Sequence, residues 1–167
     1  MPIAYNINLL LADKSGQAAL VETIDGHRAV KRIDSGNSQR YLHAANHAVL
    51  PELKPFEPKA MRNSLHRYAY IRNFLDKAVK ITPDDLKTLL LTKYPDGLCC
   101  HFYADYMGTT KSLLMDLTIG QVDICWGGLE SNGWQSHLVA QSLIEHQQTI
   151  EITGERAQPA FFEFVDY

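Results

Sequence analysis

The dipeptide Asp25-Gly26 constrains the fold of this chain more than any other feature of its sequence. It separates two runs rich in apolar and β-branched residues, 17–24 and 27–33. Asp-Gly is a preferred pair for the two-residue turn of a β-hairpin, where both turn positions need a positive φ. A further strand is predicted over 4–12, before the turn Asp13-Lys14-Ser15-Gly16. The chain therefore begins with antiparallel sheet.

Two helices are predicted in the middle of the chain. Between 59 and 79, apolar residues recur at three- and four-residue steps, as on one face of an amphipathic helix: Met61, Leu65, Tyr68, Ile71, Leu75 and Val79. The second helix has a clear start, because Thr82 is a good N-cap and Pro83 suits the first helical position. It should end before the turn at 94–97.

Strands return in the last third. The predicted strands flank turns or glycine pairs and cover 109–117, 121–126, 149–153 and 160–165, while 134–143 fits either a strand or a helix. Hairpins, two helices and hairpins in this order predict an α+β chain, with antiparallel sheet and both helices packed together on one side. The sequence has no internal repeat and no low-complexity tract, so we expect a single domain over residues 1–167.

Composition narrows the function classes. Apolar residues make up 46% and charged residues 21%, and the formal net charge is −3, which is globular composition with no electrostatic reason to bind nucleic acid or an anionic membrane surface. No apolar run is long enough to span a bilayer, and the first residues do not resemble a signal peptide. Three cysteines, Cys99, Cys100 and Cys125, are expected to be buried free thiols. Together these features favour a cytoplasmic protein.

No metal or cofactor is expected. Seven histidines include His43 and His47 four residues apart, but this stretch is predicted as strand and loop and contains no His-Glu-x-x-His pattern. A serine nucleophile elbow, Gly-x-Ser-x-Gly, does not occur either. Composition and spacing by themselves therefore indicate only an α+β domain.

Four short motifs carry more information, and their order matters more than any one of them. They are Tyr5-Asn6-Ile7 with Ala12-Asp13-Lys14-Ser15-Gly16; Ala44-Ala45-Asn46-His47; Ser64-Leu65-His66-Arg67-Tyr68; and Gly108-Thr109-Thr110-Lys111-Ser112 with residues 121–127. This series, from Pro2 to about Gly128, resembles isopenicillin-N acyltransferase-like proteins, a family of linear-amide C–N hydrolases of the N-terminal-nucleophile (Ntn) superfamily. Choloylglycine hydrolases and penicillin V acylases share much of this layout.

The resemblance implies an αββα Ntn sandwich and a chemistry. In this family a cysteine at the mature N-terminus attacks an amide carbonyl, with its own α-amino group as general base. Carried over by motif, Asn46 matches the oxyanion-hole asparagine and Arg67 the active-site arginine. Tyr5, Asn6 and Ser64 match positions beside the substrate. The implied ligand is a small acyl amide.

Simpler explanations exist for each site residue. Asn46 could be a turn asparagine that ends a predicted strand over 40–46, and Arg67 an exposed helix charge. Ser64 could orient Arg67 or only cap a helix that starts later than predicted, and Tyr5 and Asn6 could be purely structural. None of the three cysteines follows the family pattern. We therefore expect the C-terminal portion of a family member, without the nucleophile and the first strands. Its expected partners are the missing N-terminal segment or a second copy. Two alternatives stay open: a catalytically silent domain of the same fold that binds a small molecule or a protein, and an unrelated α+β protein.

Overall fold

The computed structural model describes residues 6–141 and 149–167. The described residues form β1 (Ile7–Ala12), β2 (Ala18–Ile24), β3 (His27–Ile33), β4 (Lys59–Met61), α1 (Arg62–Lys77), α2 (Pro83–Leu91), β5 (His101–Phe102), β6 (Met107–Gly108), β7 (Lys111–Asp116), β8 (Gln121–Trp126), β9 (Gln135–Leu138) and β10 (Phe164–Asp166). The chain groups into two compact units, Met1–Asp76 with Gln158–Tyr167 and Lys77–Ala157. The single domain over 1–167 stays a prediction.

The first unit is built on the predicted hairpin. Strands β1, β2 and β3 form an antiparallel sheet in that order. Both turn residues between β2 and β3 have the positive φ that the turn requires, 46° at Asp25 and 79° at Gly26. Alternate residues of β2 face the core of this unit, so Leu20 and Ile24 are buried there. The predicted strands at 17–24 and 27–33 are confirmed.

The segment from 40 to 46 is not a strand, so that prediction is wrong. Its continuation packs on the core of the first unit through Ala48, Leu50 and Leu53. Side chains, rather than a neighbouring strand, satisfy much of the backbone here. Asn8 donates to the carbonyl oxygens of Ala45 and His47. An asparagine and its neighbours can thus be held in place without any ladder of backbone hydrogen bonds.

The first helix begins later than predicted because residues 59–61 form strand β4. Strand β10 pairs antiparallel with β4, with Val165 opposite Ala60. The amide of Arg62 then donates to the carbonyl oxygen of Glu163, and α1 starts at that residue. The predicted strand over 149–153 is wrong, because that segment contains no strand. The strand predicted over 160–165 begins only at Phe164, since Pro159–Phe162 is a 3₁₀ turn.

The second unit contains α2 and the sheet β7-β8-β9, again antiparallel. The predicted start of α2 is confirmed by a capping box: Asp85 N lies 3.2 Å from Thr82 Oγ1, and Thr82 N lies 2.8 Å from the Asp85 carboxylate. The open region at 134–143 contains strand β9. Because α1 and α2 belong mainly to different units, their packing on one sheet face stays a prediction.

The architecture is thus mixed, with mostly antiparallel sheets and two helices among residues 6–141 and 149–167. This agrees with the α+β class predicted from the order of the elements. Neither of these helices combines the length and the apolar character that a membrane crossing requires.

Candidate functional site

Residues 45–50, called here the Asn46 loop, are held by a pair of residues on the first sheet. Asn8 and Glu22 are direct partners in the register of β1 and β2. The Asn8 Nδ2 donates to the carbonyl oxygens of Ala45 and His47, each at 2.8 Å. It therefore binds the carbonyl groups of the residues directly before and after Asn46.

Glu22 binds the other end of the Asn46 loop. Its carboxylate accepts from Val49 N at 3.0 Å and from Leu50 N at 2.9 Å. The side chain is fully buried, between Leu20 and Ile24 on the core face of β2. Burial raises the pKa of Glu22, and the two amide donors oppose that shift because they stabilise the charged form.

Asn46 is contacted at its backbone and at its side chain by α1. Its amide N donates to Ser64 Oγ at 2.7 Å. Its Oδ1 accepts from Arg67 Nη2 at 2.7 Å, and the same nitrogen donates to Asn63 Oδ1 at 2.9 Å. Asn63, Ser64 and Arg67 lie within the first two turns of α1, where residues three or four apart share a face.

These contacts fix the orientation of the Asn46 amide. A guanidinium only donates hydrogen bonds, so the atom of Asn46 that faces Arg67 must be the oxygen. The Nδ2 of Asn46 then points the other way, and no residue within 6–141 or 149–167 accepts a hydrogen bond from it. The side chain is exposed. The loop thus presents an oriented, neutral pair of N–H donors.

His47, next to Asn46, is buried and uncharged. Its Nδ1 lies 2.8 Å from Ser64 Oγ, and its ring packs edge-on against Tyr68 and Tyr167. Burial, helped by the positive charges of Lys54 and Arg67, lowers the pKa of His47 to about 4. At neutral pH it is therefore a packed neutral ring rather than a charged group at the site.

A concavity of about 260 Å³ lies beside Asn46. Its lining combines strand β1, the end of β2 and the Asn46 loop: Asn6, Ile7, Asn8, Ile24, Ala45, Asn46, His47 and Glu57. Glu57 is held there because its carboxylate accepts from Ala48 N at 2.5 Å and from the Tyr167 hydroxyl at 3.3 Å. Burial, with the nearby Glu57 carboxylate, raises the pKa of the Tyr167 hydroxyl. The space suits a small group with a polar end.

The structure brings some of the predicted site residues into direct contact and places others elsewhere. Asn46, Ser64 and Arg67 come together through the hydrogen bonds above, and Asn6 lines the concavity. Ser64 is fully buried and contacts Asn46 and His47 rather than lining the concavity. Tyr5 lies outside the described residues. Whether these residues act on a substrate stays a prediction.

The three cysteines lie in the second unit and are buried. Cys99 Sγ is 3.0 Å from His101 Nε2 and 3.2 Å from the carbonyl oxygen of Gly128. Burial raises the pKa of the Cys99 and Cys125 thiols, which favours the protonated, unreactive form. No three His, Cys, Asp or Glu side chains of the described part of the chain gather as a metal site.

Comparison with known families places these residues in context. The model of the family described as acyl-coenzyme A:6-aminopenicillanic acid acyl-transferase matches residues 1–131. The chain belongs to this family. The match confirms the resemblance to isopenicillin-N acyltransferase-like proteins and includes Asn46 and Arg67. No curated protein and no solved structure gives a significant match.

Sequence reasoning missed three residues that shape the site: Asn8, Glu22 and Asn63. A polar residue inside an apolar run is the signal for Asn8, which interrupts 4–12. For Glu22 the signal is a charge at a core-facing position of β2, between Leu20 and Ile24. Asn63 lies one turn before Arg67, at the spacing of helix neighbours.

Proposed function

We propose that this chain carries the oxyanion-stabilising part of an acyltransferase or amidase that acts on linear amide C–N bonds. The observation that supports this most is the Arg67–Asn46 hydrogen bond, which turns the Nδ2 of Asn46 away from the helix in a family that transfers acyl groups. Attack on an amide carbonyl places negative charge on its oxygen. A neutral amide donor fixed before the reaction stabilises that charge.

Arg67 has two effects in this proposal. It fixes which face of the Asn46 amide is presented, so no reorientation is needed as charge develops. It also withdraws electron density from Oδ1 through a charge-assisted hydrogen bond, which makes the Nδ2 hydrogens better donors. Asn63 accepts from the same guanidinium nitrogen and keeps it in place.

The attacking group is proposed to be the family's N-terminal cysteine, outside these 167 residues. Cys99, Cys100 and Cys125 are unsuitable because all three are buried and none has the free α-amino group that this chemistry uses as base. In the same proposal, sheet β1-β2-β3 and α1 belong to an αββα Ntn sandwich that the N-terminal segment completes. The substrates would be small acyl compounds. Penicillin V and conjugated bile acids are the first candidates as amides, and acyl-coenzyme A, a thioester, with 6-aminopenicillanic acid as the accepting amine is the candidate pair for acyl transfer.

An activity assay on two lengths of protein tests the proposal. Residues 1–167 alone should not release product from these candidates, whereas the protein extended upstream to a cysteine that becomes N-terminal should turn over at least one of them. The serine variant of that cysteine is the control. Turnover by residues 1–167 that disappears in C99S, C100S or C125S would place the nucleophile inside this chain and overturn the proposal.

A further inference from the structure

We propose that Asn8 and Glu22 are positioning residues that set the place of the Asn46 amide; this inference rests on the proposed function. They face each other across β1 and β2, and both side chains bind the Asn46 loop. Neither touches the Asn46 side chain through a hydrogen bond. They act on the backbone that carries it.

The hydrogen bonds of Asn8 hold the two residues that flank Asn46. One nitrogen with two hydrogens binds the carbonyl of the residue before Asn46 and the carbonyl of the residue after it, each at 2.8 Å. The backbone N–H of Asn46 itself donates to Ser64 Oγ at 2.7 Å. Three backbone polar groups within residues 45–47 are therefore bound by side chains, in a stretch that has no strand partner. Loss of Asn8 leaves the Ala45 and His47 carbonyls without this donor. Within the described part of the chain, each of these two peptide groups is then held only through its N–H, Asn46 N by Ser64 and Ala48 N by Glu57.

Glu22 complements Asn8 in polarity. Asn8 supplies donors to carbonyl oxygens, whereas the Glu22 carboxylate supplies acceptors to the amides of Val49 and Leu50. A buried carboxylate is costly, and an apolar residue would fill the same position between Leu20 and Ile24 at lower cost. The hydrogen bonds from the amides of Val49 and Leu50 explain why a carboxylate, and not an apolar side chain, occupies this position.

Asn8 and Glu22 together set the position of the Asn46 loop relative to the sheet. Directly opposed residues of an antiparallel pair project on the same side, so Asn8 and Glu22 reach the loop from one rigid base. A displacement of about 1 Å at a group that stabilises a transition state is enough to cost large factors in rate. Glu22 does not line the concavity and acts only through the Asn46 loop, so its loss should lower kcat and leave KM nearly unchanged. Asn8 also lines the concavity, so its loss should lower kcat and can change KM as well.

The test uses the upstream-extended enzyme with N8A, N8D and E22Q, beside N46A and the core variant L20A. Leu20 lies on the same face of β2 and packs in the same core as Ala48 and Leu50, but it makes no hydrogen bond to the Asn46 loop. L20A is therefore the control for lost packing and lower stability without loss of the loop's hydrogen bonds. N8A and N8D should lower kcat at least tenfold, and E22Q less, with the KM of E22Q within threefold of wild type. L20A should lower Tm without lowering kcat per folded molecule.

A second readout does not depend on activity. Amide hydrogen exchange in residues 1–167 should accelerate at least tenfold at Asn46 and Ala48 in N8A, while exchange in the β2–β3 ladder stays within threefold of wild type.

The outcomes separate the two proposals. If N46A leaves kcat unchanged, the proposed function fails. If N46A lowers kcat while N8A and N8D match L20A in kcat per folded molecule, the positioning inference alone is overturned. Unchanged exchange at Asn46 and Ala48 in N8A overturns it as well.

Discussion

The Nη2 of Arg67 donates to Oδ1 of Asn46 at 2.7 Å and, from the same atom, to Oδ1 of Asn63 at 2.9 Å. One guanidinium nitrogen of Arg67 thus links Asn46, on the loop, to Asn63, which lies one helical turn before Arg67 on α1. Asn63 is itself fixed, because its Nδ2 donates to the carbonyl oxygen of Phe161 at 2.8 Å. The orientation of Asn46 therefore depends on a chain of contacts that reaches the C-terminal segment of the first unit.

The first prediction follows from this geometry. R67K keeps the positive charge but replaces the planar guanidinium by an ammonium on a side chain one atom shorter, so its nitrogen does not reach the position from which Nη2 binds both Oδ1 atoms. We expect kcat of the upstream-extended enzyme to fall at least tenfold in R67K. R72K, on the exposed side of the same helix, is the matched control and should keep wild-type kcat. Equal rates for the two variants would show that Arg67 does not orient Asn46.

The second prediction concerns stability against pH. The folded state holds the pKa of His47 at about 4, below the roughly 6.5 of an exposed histidine, so the unfolded chain takes up this proton first as the pH falls. His47 therefore contributes full stability above about pH 6.5 and loses up to about 3 kcal/mol between there and pH 4. Urea unfolding of wild type and H47Q, measured across this range, should give a wild-type curve that falls more steeply toward acid. H66Q, at an exposed position of α1, is the control. Parallel curves for wild type and H47Q would contradict the prediction.

The third prediction concerns the thiols. Cys99, Cys100 and Cys125 are buried, and burial raises the pKa of Cys99 and Cys125. A thiol reagent such as 5,5′-dithiobis(2-nitrobenzoic acid) should therefore react slowly with native residues 1–167 and quickly with all three thiols in 6 M guanidinium, about a 100-fold or greater contrast. Rapid labelling of a native thiol would reveal a reactive cysteine and weaken the case for an external nucleophile.

The fourth prediction tests the start of α2. T82A removes the hydroxyl that accepts from Asp85 N at 3.2 Å and that donates to the Asp85 carboxylate. It should lower the free energy of unfolding by about 1 kcal/mol. T82S retains the hydroxyl and should restore most of that loss. A T82A protein as stable as wild type in urea would mean that the capping box contributes nothing in solution.

The sequence predicted the parts of the fold that local signals determine. The turn at Asp25-Gly26 and the cap at Thr82 each depend on residues within one turn, and both were located from the sequence. The errors fall where distant residues decide. Residues 40–46 are bound by Asn8 and Ser64 instead of a strand, and β10 pairs with β4 from the far end of the chain. Such pairings leave no periodicity in the local sequence.

The same distinction applies to the candidate site. Motif order was enough to name Asn46, Ser64 and Arg67, whose mutual contacts the structure describes. It did not reveal Asn8 and Glu22, because their part in the site depends on the β1–β2 register and on a loop more than 25 residues away along the chain. Register is a property of the folded sheet, so a polar residue in an apolar strand is only a hint.

The most direct test of the account is the acylation rate of the upstream-extended enzyme with N46A, measured in a single turnover on the amide that wild type cleaves best. N73A, which truncates an exposed asparagine on α1, is the matched control. Because removal of one oxyanion donor costs about 10²–10³ in rate, N46A should acylate at least 100-fold more slowly than N73A, with substrate affinity within a few-fold. An N46A enzyme that acylates as fast as N73A would contradict the account.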